Sequence, residues 1–185
     1  IDNEDMCKFA KVNPAIHEAV DRDRLWQAMN EGLIECVGTD HVSYTKSKKL
    51  DADFWTTTAG VGDGYSVLLP LMYSEGVNKG RITLDTLRKV LCENPAKVFG
   101  LYPQKGTLAV GSDADVTIID PNKEMVIDPK DSESFNEFSI YEGWQVKGAP
   151  VATFLRGSLV AEDYKIVAAE PTGKYLDQAL GVRVK

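Results

Sequence analysis

Apolar positions along the chain recur first at helical and later at alternating spacing. Over 21–32, Leu25, Trp26 and Met29 share one helical face behind a capping-type Asp21 and before the breaker Gly32, which predicts a short amphipathic helix. The β-compatible run 33–37 predicts a buried strand whose C-terminal end delivers Gly38, Thr39, Asp40 and His41. Residues 45–64 are polar and then glycine-rich, with Gly60, Gly62 and Gly64 close together, and read as a long loop. An apolar helix is predicted over 67–74, closed by Gly76, with Pro70 in its first turn or kinking it. Thr83 caps a helix running to about Glu93, and Asn94 with Pro95 starts another that stops at Gly100.

After Leu101 the period becomes two. The stretch 106–119 alternates around a turn at Gly111, Ser112 and Asp113, and 125–127 adds another short strand. Over 146–160 the pattern is strand, turn at Arg156 and Gly157, strand. Residues 128–136 form a polar connection, and the tail from Pro171 reads as a surface or subunit-contact extension. The first half is therefore expected to alternate helix and strand, and the second to form a β module.

Composition narrows the function classes. The 185 residues carry 21 Lys+Arg against 28 Asp+Glu, a net charge of −7, which excludes phosphate neutralisation of a nucleic acid as the main theme. With 43% hydrophobic residues the chain can bury one sizeable core or two small ones. No apolar run approaches the ~20 residues of a membrane span, and 1–11 lack the apolar stretch and cleavage site of a signal peptide. A cytoplasmic protein with no membrane partner is expected. Cys7, Cys36 and Cys92 lack CxxC spacing and read as buried or incidental thiols, not as a disulfide framework or zinc site.

Asp40 is the leading candidate for chemistry. A carboxylate leaving the end of a buried strand beside an imidazole can bind a metal and accept a proton. The same Thr-Asp-His run also suits an ordinary turn, with His41 bracing the loop. Lys46, Lys48 and Lys49 read as a short solvated cluster, and Trp26 and Trp55 as core or loop anchors. Ser66 and Tyr73 read as helix packing, and Asp113 and Asp115 as flanks of a structural turn.

The runs GTDHVSY, LPLMYSEGVNKGRITL, NPAKVFGLYPQKGTLAVGSDADVTIIDP and YEGWQVKGAPVATFLRGSLV follow one another in this order. The order closely resembles the C-terminal part of dihydropyrimidinases and hydantoinases, the cyclic-amide branch of the metal-dependent amidohydrolases. The resemblance covers nearly the whole chain, and NPAKVFGLYPQKGTLAVGSDADV is its most specific piece.

It implies an α/β fold: the C-terminal part of a (β/α)8 TIM barrel over 1–103, strands of a small β-sandwich over 104–168, and a C-terminal tail over 169–185. It also implies a hydrolase that opens a hydantoin or dihydropyrimidine ring with a metal-activated water. Asp40 matches the Asp of the (S/T)DH motif, which binds the more buried of two divalent metals, zinc being the expected ion, and shuttles the proton. KVNPAIH matches the segment that places Asn13 at a substrate-contacting position, where its amide would pair with the ring or simply precede Pro14 in an extended turn. Gly60 stands where the family has a substrate-contacting Asn, so contact there would come from the backbone; its plainer role is to permit a turn. Tyr44 replaces the second histidine common in dihydroorotases, and His17 the Arg of their Pro-Leu-Arg pattern, so hydantoinase-like chemistry is favoured over the dihydroorotase or allantoinase alternative. Tyr44 is equally suited to packing.

A full barrel takes ~250 residues. The family's HxH pair, carboxylated lysine and two further histidines have no counterpart here, since the chain holds only His17 and His41. The expectation is one portion of a longer polypeptide, with the N-terminal portion of the same enzyme as partner, a small cyclic amide as substrate, and a homo-oligomer as the assembly. A non-catalytic assembly protein of the same fold is the alternative.

Overall fold

Helices and loops precede an antiparallel sheet in the computed structural model, which describes residues 4–62 and 64–176. A one-and-a-half-turn helix, α1 (Glu4–Phe9), leads into an extended segment and then α2 (Ala19–Asn30). α2 begins at Ala19 because Glu18, not Asp21, is the N-cap: Asp21 sits one turn in and accepts the Glu18 N–H at 3.2 Å, closing a capping box. Gly32, at φ +74°, ends the helix as predicted.

Residues 33–37 form no strand, and among the described residues none pairs with them; Val37 N–H bonds instead to Val90 O at 3.1 Å. A strand needs a neighbour to form a ladder, and Leu33 is left 68% exposed. The predicted loop over 45–64 contains a helix, α3 (Lys46–Leu50), because Thr45 caps it through the Lys48 N–H at 3.3 Å.

α4 (Gly64–Leu71) contains Pro70 and widens into a π-helical segment, Met72–Val77. Gly76 lies inside that segment and does not stop it; a Cβ there would meet Ile82 and Trp26 at 2.9 Å, so glycine serves close packing. α5 (Leu84–Arg88), capped by Thr83, continues through a π-helical turn, Lys89–Glu93, into α6 (Asn94–Val98), and Gly100 follows at φ +68°. Met29, Met72, Ile82, Leu87 and Val90 form the core these helices share, each burial contributing about 1.5–3 kcal/mol.

The sheet runs in sequence order, with all pairs antiparallel: β1 (Val116–Val126), β2 (Gln145–Leu155), β3 (Ser158–Glu162) and β4 (Lys165–Ile166). The separate strand predicted at 125–127 is the far end of β1, beyond an irregularity between Asp120 and Glu124. Residues 106–115 are not a strand, and Val110 is fully exposed. Lys105 explains this: its ammonium holds Asp113 at 2.7 Å and also Asp115, folding the segment back on itself. The β2–β3 hairpin turns at Arg156 and Gly157, both at positive φ, as the sequence predicts. Val67, Ile127 and Val146 form a second core that fastens the sheet to α4. No helix among the described residues is long and apolar enough to cross a membrane.

Candidate active site

Asp40 lies in the irregular run that follows α2 and is exposed, with its backbone at φ +47°, a conformation Asp tolerates better than most residues. The His41 ring reaches two hydroxyls: Nε2 lies 3.1 Å from Ser43 Oγ and 3.4 Å from Ser134 Oγ. The imidazole therefore braces the loop against the connection after β1.

Three segments carry the residues singled out by sequence, and backbone hydrogen bonds join them. His41 and Val61 form a parallel bridge, with Val42 N–H donating to Val61 O at 3.1 Å. One residue earlier, Gly60 N–H donates to Lys11 O at 3.0 Å, two positions before Asn13. The Asp40, Gly60 and Asn13 segments thus lie side by side, although the side chains of Asp40 and Asn13 share no hydrogen bond. Gly60 adopts φ +128°, and a Cβ there would meet the Tyr44 ring at 3.0 Å and Val42 at 3.2 Å. Only glycine fits, because Tyr44 backs the turn and donates its hydroxyl to Ala59 O at 3.2 Å.

The electrostatics come from two lysines. Lys49 is fully buried, contrary to the solvated cluster expected from sequence, and donates to Lys11 O at 3.2 Å and Thr58 O at 2.9 Å. Its ammonium also lies 5.6 Å from the centre of the Tyr44 ring. Burial, with the nearby Lys11 charge, pulls its pKa below the ordinary lysine value. Lys11 in turn donates to the carbonyls of Phe54, Thr57 and Trp55 at 2.8–3.0 Å.

The donor set suits one position of a metal site and not a whole one. A carboxylate such as that of Asp40 is a hard oxygen ligand. Among the described residues no three His, Cys, Asp or Glu side chains converge to hold an ion. Cys36 and Cys92 are exposed, and partial desolvation holds both thiols above the ordinary cysteine value. A cavity of about 310 Å³ beside Thr39 is walled by Trp26, Leu68, Tyr141 and Trp144, and Asp40 does not line it.

The profile of the Amidohydrolase family matches residues 5–160. The chain belongs to the amidohydrolase family. It is 40% identical over 177 residues to the L-hydantoinase of Paenarthrobacter aurescens, covering 95% of this chain and 38% of that protein. The D-hydantoinase of Ralstonia pickettii is 39% identical over 166 residues, 88% of this chain and 36% of its own length. Among solved structures, the L-hydantoinase (dihydropyrimidinase) from Arthrobacter aurescens superposes with a TM-score of 0.83 at 41% identity, over 89% of this chain and 37% of that one. A D-hydantoinase structure superposes at 0.79 with 38% identity, over 87% and 35%. This amidohydrolase chain therefore spans little more than a third of the relatives it matches.

Sequence reading did not single out the residues that hold the amidohydrolase loops together. Lys49 sits in a polar stretch that looks solvated and Lys11 between Ala10 and Val12, and nothing local marks either as bridging. Asn136, 5% exposed, lies in the connection read only as polar, yet accepts the Tyr44 N–H at 2.9 Å. Trp55, expected as an anchor, is 85% exposed.

Proposed function

We propose that this chain supplies Asp40 and two substrate-facing segments to a metal-dependent hydrolase that opens cyclic amides of the hydantoin or dihydropyrimidine type. The observation that carries the reading is the joining of the Asp40, Gly60 and Asn13 segments through the Val61 and Lys11 carbonyls. The hydantoinase relatives support the substrate class. Residues 1–103 belong on this reading to the C-terminal part of a (β/α)8 barrel, 104–168 to a β-sandwich, and 169–185 to a tail. The N-terminal portion of the same enzyme completes the barrel, and the assembly is a homo-oligomer.

Asp40 would hold the more buried of two divalent ions, zinc being the expected metal, with the other donors outside the described residues. When bound, such ions supply Lewis acidity and a water of lowered pKa. The Asp40 carboxylate accepts the proton of the water whose oxygen adds to the ring carbonyl, and returns it to the ring nitrogen as the C–N bond breaks. Its exposed position in the loop before His41 leaves both oxygens available for these roles. Asn13 presents a donor and an acceptor to the imide edge of the ring. The Gly60 N–H is already committed to Lys11 O, so the Gly60 carbonyl is the group that would accept a ring N–H.

The test uses the full-length protein, screened against hydantoins, dihydrouracil, allantoin and dihydroorotate with metal content measured alongside. Ring opening of hydantoin or dihydrouracil is expected, and Asp40→Asn abolishes it while circular dichroism stays unchanged. Turnover retained in Asp40→Asn would overturn the role given to this carboxylate.

A further inference from the structure

The two lysines form a closed arrangement that spans both substrate-facing segments. Lys11 leaves the Asn13 segment and gathers three carbonyls of the 54–57 turn, at 3.0 Å (Phe54), 2.9 Å (Trp55) and 2.8 Å (Thr57). Lys49, in α3, donates to Lys11 O and to Thr58 O. Lys11 O therefore receives both the Lys49 ammonium and the Gly60 N–H, at 3.2 and 3.0 Å. Thr57 locks the base of the arrangement, its buried hydroxyl donating to Lys49 O at 2.6 Å. The Tyr44 ring closes one side, against both Gly60 and the Lys49 ammonium.

Stability alone does not call for this arrangement. Lys49 is 0% exposed and no carboxylate pairs with it among the described residues, so its charge is buried against carbonyl dipoles and one aromatic face. Burying an ammonium in this way is costly, and an apolar side chain of similar length would fill the same space at lower cost. What an apolar side chain cannot do is fix two backbone carbonyls, from segments far apart in sequence, at hydrogen-bonding distance from one atom.

We infer that Lys11 and Lys49 are positioning residues, a crossed clasp that sets the spacing between Asn13 and Gly60 and so the fit of the cyclic-amide ring between them. The inference rests on the substrate-facing reading of Asn13 and Gly60 given above. Neither lysine touches the ring: the Lys11 ammonium acts by tying the chain that leads to Asn13 to the Phe54, Trp55 and Thr57 carbonyls, Lys49 through the Lys11 and Thr58 carbonyls. Loosening the clasp should weaken ring binding more than it slows the chemistry at Asp40, which stands on a different segment.

The experiment compares Lys49→Met, Lys11→Met and Asn13→Ala with the parent in the full-length enzyme, using hydantoin and dihydrouracil as substrates. Each lysine variant is expected to raise KM by about tenfold while kcat stays within about threefold, the pattern of lost binding in ground and transition state alike. Lys11→Met keeps the question open to test if Lys49→Met fails to fold, since the Lys11 ammonium lies nearer the surface. A fall in kcat with unchanged KM in the lysine variants, as from a loss of folded enzyme, would overturn the clasp, as would no change in either constant. Asn13→Ala reports separately: an unchanged KM there would overturn the contact assigned to Asn13, whereas the clasp is judged on the lysine variants against the parent. A Lys11→Met effect that disappears in an Asn13→Ala background supports transmission through Asn13, and full additivity in that background overturns it.

Discussion

The carboxamide oxygen of Asn136 accepts the backbone N–H of Tyr44 at 2.9 Å, tying the connection after β1 to the loop that follows Asp40. The other end of the same amide has no hydrogen-bond partner among the described residues and lies against Gly62, where a Cβ would come within 1.5 Å of Nδ2. Asn136→Ala leaves the Tyr44 N–H unpaired and is expected to cost about 1–2 kcal/mol. Gly62→Ala should cost more, because the short Asn side chain cannot move without giving up that bond. The two substitutions should couple: Gly62→Ala/Asn136→Ala is expected to be more stable than the sum of the singles by at least about 1 kcal/mol. Urea unfolding of the four proteins measures this, and strict additivity would show that the contact is not what requires glycine at 62.

The contrast between Asp40 and Lys49 shows what could be read from the sequence. Helices marked by caps and breakers were legible, since Thr83, Gly32 and Gly100 act through local backbone chemistry; so was the hairpin at Arg156 and Gly157. Of the candidate site, only the motif residues proposed for it, Asp40, Asn13 and Gly60, were legible as candidates. Position in three dimensions was not. Lys49 follows three other polar residues in KSKK and looks solvated, but α3 brings its side chain to the Lys11 and Thr58 carbonyls and the Tyr44 ring, contacts that no local window contains. Strand pairing failed for the same reason. The run 33–37 has strand composition but no partner among the described residues, and 106–110 alternates correctly yet is folded back by the bonds of Lys105.

Asp115 should make part of the protein's stability dependent on acid. Its carboxylate accepts the Arg156 N–H at 2.8 Å and pairs with the Lys105 ammonium. Burial pushes this carboxyl up, but the hydrogen bonds from Lys105 and Arg156 outweigh burial and hold it below the ordinary Asp value. A carboxyl with a lower pKa in the folded than in the unfolded chain contributes its full stability above the unfolded value of about 3.9 and loses it as pH falls through the folded value. Asp115→Asn is therefore expected to cost about 1–2 kcal/mol at neutral pH, with the gap to the parent closing below about pH 4. Urea unfolding at pH 7 and pH 3 checks it; a gap of equal size at both would mean that shape, not charge, is what Asp115 contributes.

Gly148 decides how closely the sheet approaches the helical layer. It lies in β2 opposite the irregular stretch of β1 between Asp120 and Glu124, at φ +87°, and a Cβ there would come within 2.1 Å of the Tyr73 ring. The residues around it are already committed across the same seam: Lys147 N–H donates to Ser74 Oγ at 3.2 Å, and Asn78 Nδ2 donates to Lys147 O at 2.7 Å. Neither side can retreat without breaking these bonds, so Gly148→Ala carries both the backbone cost of positive φ and the overlap with the ring. We expect a loss of about 2–4 kcal/mol, since the two costs act at one position. Truncating the ring separates them: in a Tyr73→Ala background the overlap disappears and only the backbone cost remains, so Gly148→Ala should then cost about 1 kcal/mol. Thermal or urea unfolding of the cycle reads the difference directly. An equal cost in both backgrounds would place the requirement for glycine in the β2 backbone alone, and would remove Tyr73 as the residue that sets the distance between sheet and helices.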